Sequence, residues 1–498
     1  VTFPKICGIE TEYGISTPSA SGRDPTSASS LLIAAYLEDS DRKITWDFTD
    51  ESPGNDARGF VVEGALPPLV ETQLLNAVLK NGGRYYVDHA HPEYSTPECS
   101  NVREALLYDR AGEEIIRISM DKCKSMLGNG EEIVIYKNNS DGKDNSYGCH
   151  ENYLVDRSVP FPKFIEYFIT HLVTRQIFTG SGKVGTEGIN RMAGNKKIFQ
   201  ISQRSDFFEE VVGLETTIRR PILNTRDEPH ADKTKYRRLH VITGDANLSE
   251  VATFLKLGTS AIILQLIEEE ALDHLQLEIN SPVQDIQGIS RDTSLKYKIK
   301  LKSGKTMTAL EMQWLYLETA KKYHFQNGLS SVGDDNLVND ILQRWEYVLT
   351  ALEDDIFLLS QQLDWVAKLQ IINAFCDRHK CDYNDANIAA IDLQYHDMRP
   401  HKSIFQRLNM EKIIPASEIK KAISDPPETT RAYFRGECLK RYPRDIKSVN
   451  WDSILFDIGD GPLRKVPMAE PLRGSKVHVH ALLEKSPTAK DLLKNLGD

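Results

Sequence analysis

The sequence predicts an α+β protein built on a mostly antiparallel sheet backed by helices, and three observations carry that expectation. Short strand-like runs, separated by loops rich in Gly, Asn, Asp and Pro, fill residues 1–260. From about Ser249 onward, apolar residues recur three and four apart over several long stretches, the period of helices with a buried face. Pro426 and Pro427 then interrupt the chain before a last segment that holds Tyr433, Trp451 and a strand-like run at residues 453–457. Strands first and helices later is an α+β order. The proline pair suggests a large domain over residues 1–425 and a small one over 426–498.

The strand-like segments come first. Residues 5–15, KICGIETEYGI, place Cys7, Ile9, Tyr13 and Ile15 on one side and Glu10 and Glu12 on the other. Positions two apart on a strand are about 6.6 Å apart, so two carboxylates sit side by side on an open face. Residues 81–99, NGGRYYVDHAHPEYSTPEC, put Arg84, Tyr86 and Asp88 on one face and Tyr85 and Val87 on the other. Pro92 ends ordinary ladder pairing there, with Glu93 directly after it. His89 and His91 read as exposed loop histidines. In residues 146–154, SYGCHENYL, His150 and Asn152 share a face; residues 224–245 begin as a loop held by Pro229 and end as a strand with Arg238 and His240 on one face. The helical periods follow at residues 249–270, 309–323, 336–359 and 365–378.

Singly, each of these polar residues is an ordinary surface or core residue. Together, Glu10, Glu12, Glu93, His150 and His240 make an oxygen-rich set with imidazole support. Mg²⁺ takes carboxylate, water and phosphate oxygens, and Mn²⁺ also accepts imidazole. Arginines beside such a set suit phosphate, whose oxygens match the planar guanidinium. The combination points to a nucleotide held on a sheet by metals and arginines.

Other chemistries find little support. The GSGK at residues 180–183 has Val184 where a P-loop needs Ser or Thr, and Ile177 where its first Gly belongs. Cys376, His379 and Cys381 lack a second pair at zinc-ligand spacing. No Gly-x-Ser-x-Gly elbow occurs. The net charge of −11, from 61 basic and 72 acidic residues, disfavours nonspecific nucleic-acid binding. Apolar runs such as residues 261–264 are far shorter than a membrane span, and no signal-peptide pattern opens the chain. Seven scattered cysteines suit a reducing compartment, so a cytoplasmic location is expected, with no membrane or nucleic-acid partner.

Several long motifs now add a family. GIETEYGI, YYVDHAHPEY, SYGCHENYL, TRDEPHAD, YRRLHVITGDANLSE and TRAYFRGECLKR resemble the Pup ligase/depupylase family, and the similarity continues to PLRGSKVHV near the end. The resemblance implies a glutamine-synthetase-like core whose concave antiparallel sheet cradles ATP and Mg²⁺. Two activities share that fold. The ligase joins the C-terminal glutamate side chain of the protein modifier Pup to a substrate lysine; the depupylase hydrolyses that bond and converts a terminal glutamine of Pup to glutamate. The chain is similar to the depupylases in its HAHPEY, RGECLKRYP and PLRGSKVHV. Residues 46–60, WDFTDESPGNDARGF, also resemble a depupylase-specific loop near the active site. Cys149 departs from that pattern and matches the ligases.

By the same resemblance, Glu10 and Glu93 match metal-binding positions with Tyr86 beside them, and Glu12, His150 and His240 are further metal or phosphate partners. Arg84, Thr96 and Trp451 match nucleotide-contacting positions, Trp451 packing on adenine. Arg226 and Arg238 are assigned as phosphate clamps. Asp88 matches the catalytic aspartate, which either attacks the side-chain carbonyl or activates water. The implied partners are Pup and pupylated proteins, with a functional link to the bacterial proteasome. A disordered partner of this kind docks apolar anchors in a groove with a basic rim, for which Arg219 and Arg220 are candidates. The competing expectations are the ligase, a silent Pup-binding module and a generic carboxylate–amine ligase.

Overall fold

The computed structural model describes residues 3–17, 23–38, 44–62, 74–127, 131–188, 197–459 and 461–497. Its main sheet has ten strands: β1 Cys7–Glu12, β2 Thr45–Trp46, β3 Asn76–Val78, β4 Arg84–Asp88, β5 His91–Ser95, β6 Cys149–Asp156, β7 Tyr236–Val241, β8 Ile446–Val449, β9 Ser453–Phe456 and β10 Arg464–Pro467. They lie in the order β7-β6-β1-β5-β4-β3-β2-β8-β9-β10. Neighbours are antiparallel throughout, except where β2 meets β8 in parallel.

One face of this sheet is covered. Cys7 and Ile9 of β1, Cys149, Tyr153 and Val155 of β6, and Leu239 and Val241 of β7 join the largest apolar cluster. Helices α2 Val102–Leu127, α3 Phe161–Thr174 and α4 Glu250–Glu268 are among those that build that cluster. Tyr85 and Val87 of β4 pack instead in a second cluster with Leu32 and Ile33 of α1, Pro25–Leu37. Helix α4 begins at Ser249, whose side chain accepts the Ala252 N–H, satisfying a donor the first turn leaves open. Among the described residues it is the one helix long and apolar enough to cross a membrane, but it is buried along its length, as a core helix is. Beyond it run α5 Ala309–Asn327, capped by a Thr308–Glu311 box, α6 Asp335–Asp354 and α7 Asp364–His379.

Five sequence expectations change. The strand at residues 5–15 breaks after Glu12: Tyr13 donates its N–H to the Pro92 carbonyl, and Gly14–Ser16 pairs with Val134–Tyr136 in a separate small sheet. Pro92 lies inside β5 opposite Val87 and does not end the pairing. The Tyr13 carbonyl, which a residue other than proline could have met with its N–H, instead contacts His91 Nδ1 at 3.0 Å. His91 is therefore a structural residue, its ring 4.3 Å from that of Tyr147, and not an exposed loop histidine. Helices also occupy much of the first 260 residues, as α1, α2 and α3 show, and the expected helix at 336–359 is cut at Asp355 into α6 and a short 3₁₀ turn.

The C-terminal residues continue the main sheet. β8 pairs with β2, and the apolar cluster of α8, Ala432–Arg441, and β8–β9 takes in Ile44, Trp46 and Val78. A polar clamp adds to this. Glu98 accepts from Arg431 Nε at 2.7 Å and from Arg435, which also donates to the carbonyls of Gly82 and Trp451. Residues 46–60 fold against residues 224–228: Ala57 N donates to Thr225 O, Asp227 N to Asn55 O, and Thr225 Oγ1 to Asp56.

Candidate active site

Directly opposed residues of an antiparallel pair project from the same face, and the register lines up polar side chains across five strands. Tyr86, Glu93 and Glu12 form one row over β4, β5 and β1. Arg84, Ser95, Glu10 and His150 form the next, from β4 to β6. Gly8, Asn152 and His240 form a third over β1, β6 and β7. Asp88 ends β4, opposite His91. The face that the helices leave open thus carries almost every residue the sequence nominated.

Two triads emerge, each with ligand atoms within 4.8 Å of one another: Glu10 with His150 and His240, and Glu12 with Asp88 and Glu93. His150 links them, its Nδ1 3.5 Å from Glu10 and its Nε2 3.8 Å from Glu12. Gly148 makes room for that ring, since a Cβ there would lie 2.1 Å from His150 Nε2. Asn152 was noted in the sequence only for sharing a face with His150, yet it donates to Glu10 Oε1 at 2.9 Å. Its amide oxygen meets Arg238 Nη1 at 3.1 Å and His240 Nδ1 at 2.9 Å.

The electrostatics fit a cation. Burial, and then the charges of Asp88, Glu12 and Glu10, push the Glu93 carboxyl well above its usual range. Three or four carboxylates this close repel one another unless a positive ion stands among them. Burial also works against Glu10, but hydrogen bonding to His150 and the charges of His240 and Arg238 hold it well below the carboxylate range. Burial keeps His240 neutral, as a ligating imidazole must be. Burial and then Glu93 push the Tyr86 phenol well up. Asp88 is opposed by burial, yet His89 at 3.0 Å, with the charges of His150 and Arg84, lowers it, so the carboxylate is ionised. His89, read as a plain loop histidine, thus touches Asp88, from a left-handed backbone position with φ of 51°.

Two clefts open on this floor. One, of about 590 Å³, is lined by Ile6, Gly8, Thr96, Leu154, Arg238 and Trp451, with Glu10 at its edge. A Cβ on Gly8 would come within 3.0 Å of Thr96 Oγ1 and fill the slot. Thr96 Oγ1 accepts the Ile9 N–H at 3.0 Å. Trp451 is braced by Trp46, ring to ring at 5.2 Å, and by the Arg435 guanidinium 5.1 Å from its ring. Apolar walls with a few polar atoms suit a planar base. The other cleft, of about 1210 Å³, is lined by Arg84, Tyr86, Asp88 and Arg226 and by Phe48 and Glu51 of the 46–60 loop. Arg84 lies between the rings of Trp46 and Tyr86, 3.9 Å from each centroid. Arg226 Nε is buried with no hydrogen-bond partner among the described residues, a donor suited to an anion.

Thr96, Trp451 and Arg238 therefore line the slot, whereas Arg84 and Arg226 line the wide cleft with Asp88. Of the two arginines expected at a basic rim, Arg220 donates to Thr216 O and Ser146 O, and Arg219 is exposed. Cys149 lies under the sheet with 1% exposure, away from the open face, so its match to the ligases does not alter the site.

Residues 5–455 match the family described as Pup-ligase protein. A depupylase of Acidothermus cellulolyticus is 46% identical over 99% of this chain and 99% of its own. The Pup deamidase/depupylase of Mycobacterium tuberculosis is 43% identical, also over 99% of both chains. A solved structure of the Pup ligase PafA in complex with ADP has a TM-score of 0.74 at 34% identity, covering 82% of this chain and 89% of that one. The matched span takes in every strand of the acidic floor and the tryptophan beside it, and the chain belongs to the Pup ligase family.

Proposed function

We propose that this protein is a depupylase: an ATP- and Mg²⁺-dependent hydrolase that cleaves the isopeptide bond between the C-terminal glutamate side chain of Pup and a substrate lysine. It also deamidates a Pup that ends in glutamine. The observation that carries the reading is the ionised Asp88, placed where the acidic floor meets the wide cleft and the 46–60 loop. Identity points the same way, at 46% and 43% to the two depupylases against 34% to the ligase. A glutamine-synthetase-like core is part of the proposal, supported by an antiparallel sheet with carboxylates and arginines on one face. Pup and pupylated proteins are the partners, linked to the bacterial proteasome in the cytoplasm.

Both reactions attack a side-chain amide, which needs a nucleophile, a stabilised oxyanion and a proton for the leaving amine. Asp88 serves as the nucleophile or as the base that takes a proton from water. The slot lined by Trp451 and Gly8 would hold the adenine, and Arg238 and Arg84 would supply positive charge for the phosphates. Glu10, His150 and His240 would hold one Mg²⁺, and Glu12 and Glu93, with Tyr86 beside them, another. Bound there, the ions neutralise phosphate charge. Arg226 offers its buried Nε to negative charge in the wide cleft. The test is incubation of the protein with a pupylated substrate, with and without ATP and Mg²⁺, and of Pup ending in glutamine under the same conditions. The proposal expects free Pup and ammonia only when nucleotide and metal are present. New conjugate formed from free Pup, with no release from old conjugate, would make the protein a ligase.

A further inference from the structure

We infer that Asn152 is the positioning residue of the imidazole-bearing triad, presetting His240 as the Nδ1–H tautomer and holding Glu10 in place. The inference rests on reading Glu10, His150 and His240 as a cation site. Asn152 stands on β6 between two neighbours, opposite His240 on β7 and opposite Gly8 on β1, two residues from Glu10. Its amide could be turned either way in principle, but the partners decide it. Arg238 can only donate, and its Nη1 lies 3.1 Å from one end of the amide, which must be the oxygen. The other end of the amide is then the NH₂, and it lies 2.9 Å from the Glu10 carboxylate, an acceptor.

With both ends fixed, the third contact has one solution. His240 Nδ1 lies 2.9 Å from the same amide oxygen and therefore carries the proton. Its Nε2 is left with a lone pair, and His240, Glu10 and His150 bring their ligand atoms within 4.8 Å of one another. The other tautomer would put an N–H where a ligand lone pair is required. A hydrogen bond to the remote nitrogen of a ligating histidine fixes ring orientation and tautomer, and losing such a partner typically weakens metal binding about 10–100-fold. Here one amide does this for the imidazole while also donating to the carboxylate of the same triad. Aspartate at this position would keep the acceptor and lose the donor; alanine would lose both.

The experiment has two readouts in the metal-free and Mn²⁺-titrated protein. Nitrogen NMR of histidine-labelled protein reports the His240 tautomer, and electron paramagnetic resonance of free Mn²⁺ reports affinity. The wild type is expected to show Nδ1–H at His240, Asn152→Asp to retain it, and Asn152→Ala to lose it and bind Mn²⁺ about 10–100-fold more weakly at one site. An Nε2–H His240 in the wild type, or unchanged Mn²⁺ affinity in Asn152→Ala while His240→Ala loses a site, overturns the inference and leaves the cation site standing. Wild-type Mn²⁺ binding in His240→Ala overturns both.

Discussion

Glu12, Glu93 and Asp88 come from three strands and crowd their charges into one place, and this is where single residues matter most. Glu93 bears the cost, its carboxyl pushed up by burial and by Asp88, Glu12 and Glu10. A carboxyl raised above its unfolded value of 4.5 lowers stability as the pH climbs past that value. Without divalent ions, Glu93→Gln is therefore expected to melt above the wild type at neutral pH, and added Mg²⁺ to stabilise the wild type more than the variant. A lower melting temperature for the variant would contradict the repulsion. Glu10→Ala and Glu93→Ala should each weaken Mg–ATP binding at least tenfold with the fold intact, as calorimetry would show; wild-type affinity would remove them from the metal set. The alternation of residues 8–12 and 84–88 made most of this floor legible in the sequence, because side-chain direction along a strand is a local property. Asn152 and His89 were read as bystanders because their roles depend on partners set by cross-strand register and by a turn with positive φ.

At the scale of elements, two pieces frame the floor. The 46–60 loop is tied down by Asp56 to Thr225 and by Asp227 to Asn55, and it puts Phe48 and Glu51 into the wide cleft. Replacing residues 49–58 by a short flexible linker should cut turnover of a pupylated protein while ADP affinity stays within about twofold, since none of those residues lines the slot and Trp46, which braces Trp451, is kept. Unchanged turnover would make the loop a surface insertion. The second piece is the Glu98 clamp, whose carboxyl, despite burial, Arg435 and Arg431 hold down to about 2. That stabilisation is present above the unfolded value of 4.5 and is lost as the pH falls through about 2. Glu98→Gln should cost roughly 3 kcal/mol at pH 7 in denaturant unfolding. The gap to the wild type should narrow steadily below about pH 4.5. A gap that persists at lower pH would mean that packing, not charge, is lost. Helix α2 escaped the sequence reading for a related reason. Its inner face buries Asp109, Arg110 and Glu113, two of them paired with Lys137, so the apolar period that marks a helix is interrupted.

Across the whole molecule, one sheet carries the slot beside Trp451, the acidic floor and the wide cleft. The sequence supplied the α+β class and the residues of the floor. It could not supply the order of the strands, because Glu98 reaches Arg431 over 333 residues and Asn152 reaches Glu10 over 142. Nor did local pattern show that β8–β10 extend the same sheet, a pairing made through the two-residue strand β2. In this arrangement Asp88 belongs to the carboxylate triad of the floor and also lines the wide cleft, and the proposed chemistry depends on it. Asparagine matches its size but is a poor nucleophile and a poor base. The decisive measurement is single-turnover release of Pup from a conjugate by Asp88→Asn, alongside its affinities for Pup and ATP. The account predicts both affinities near those of the wild type and release slowed by roughly 10²–10⁴-fold or more; release at the wild-type rate would contradict it.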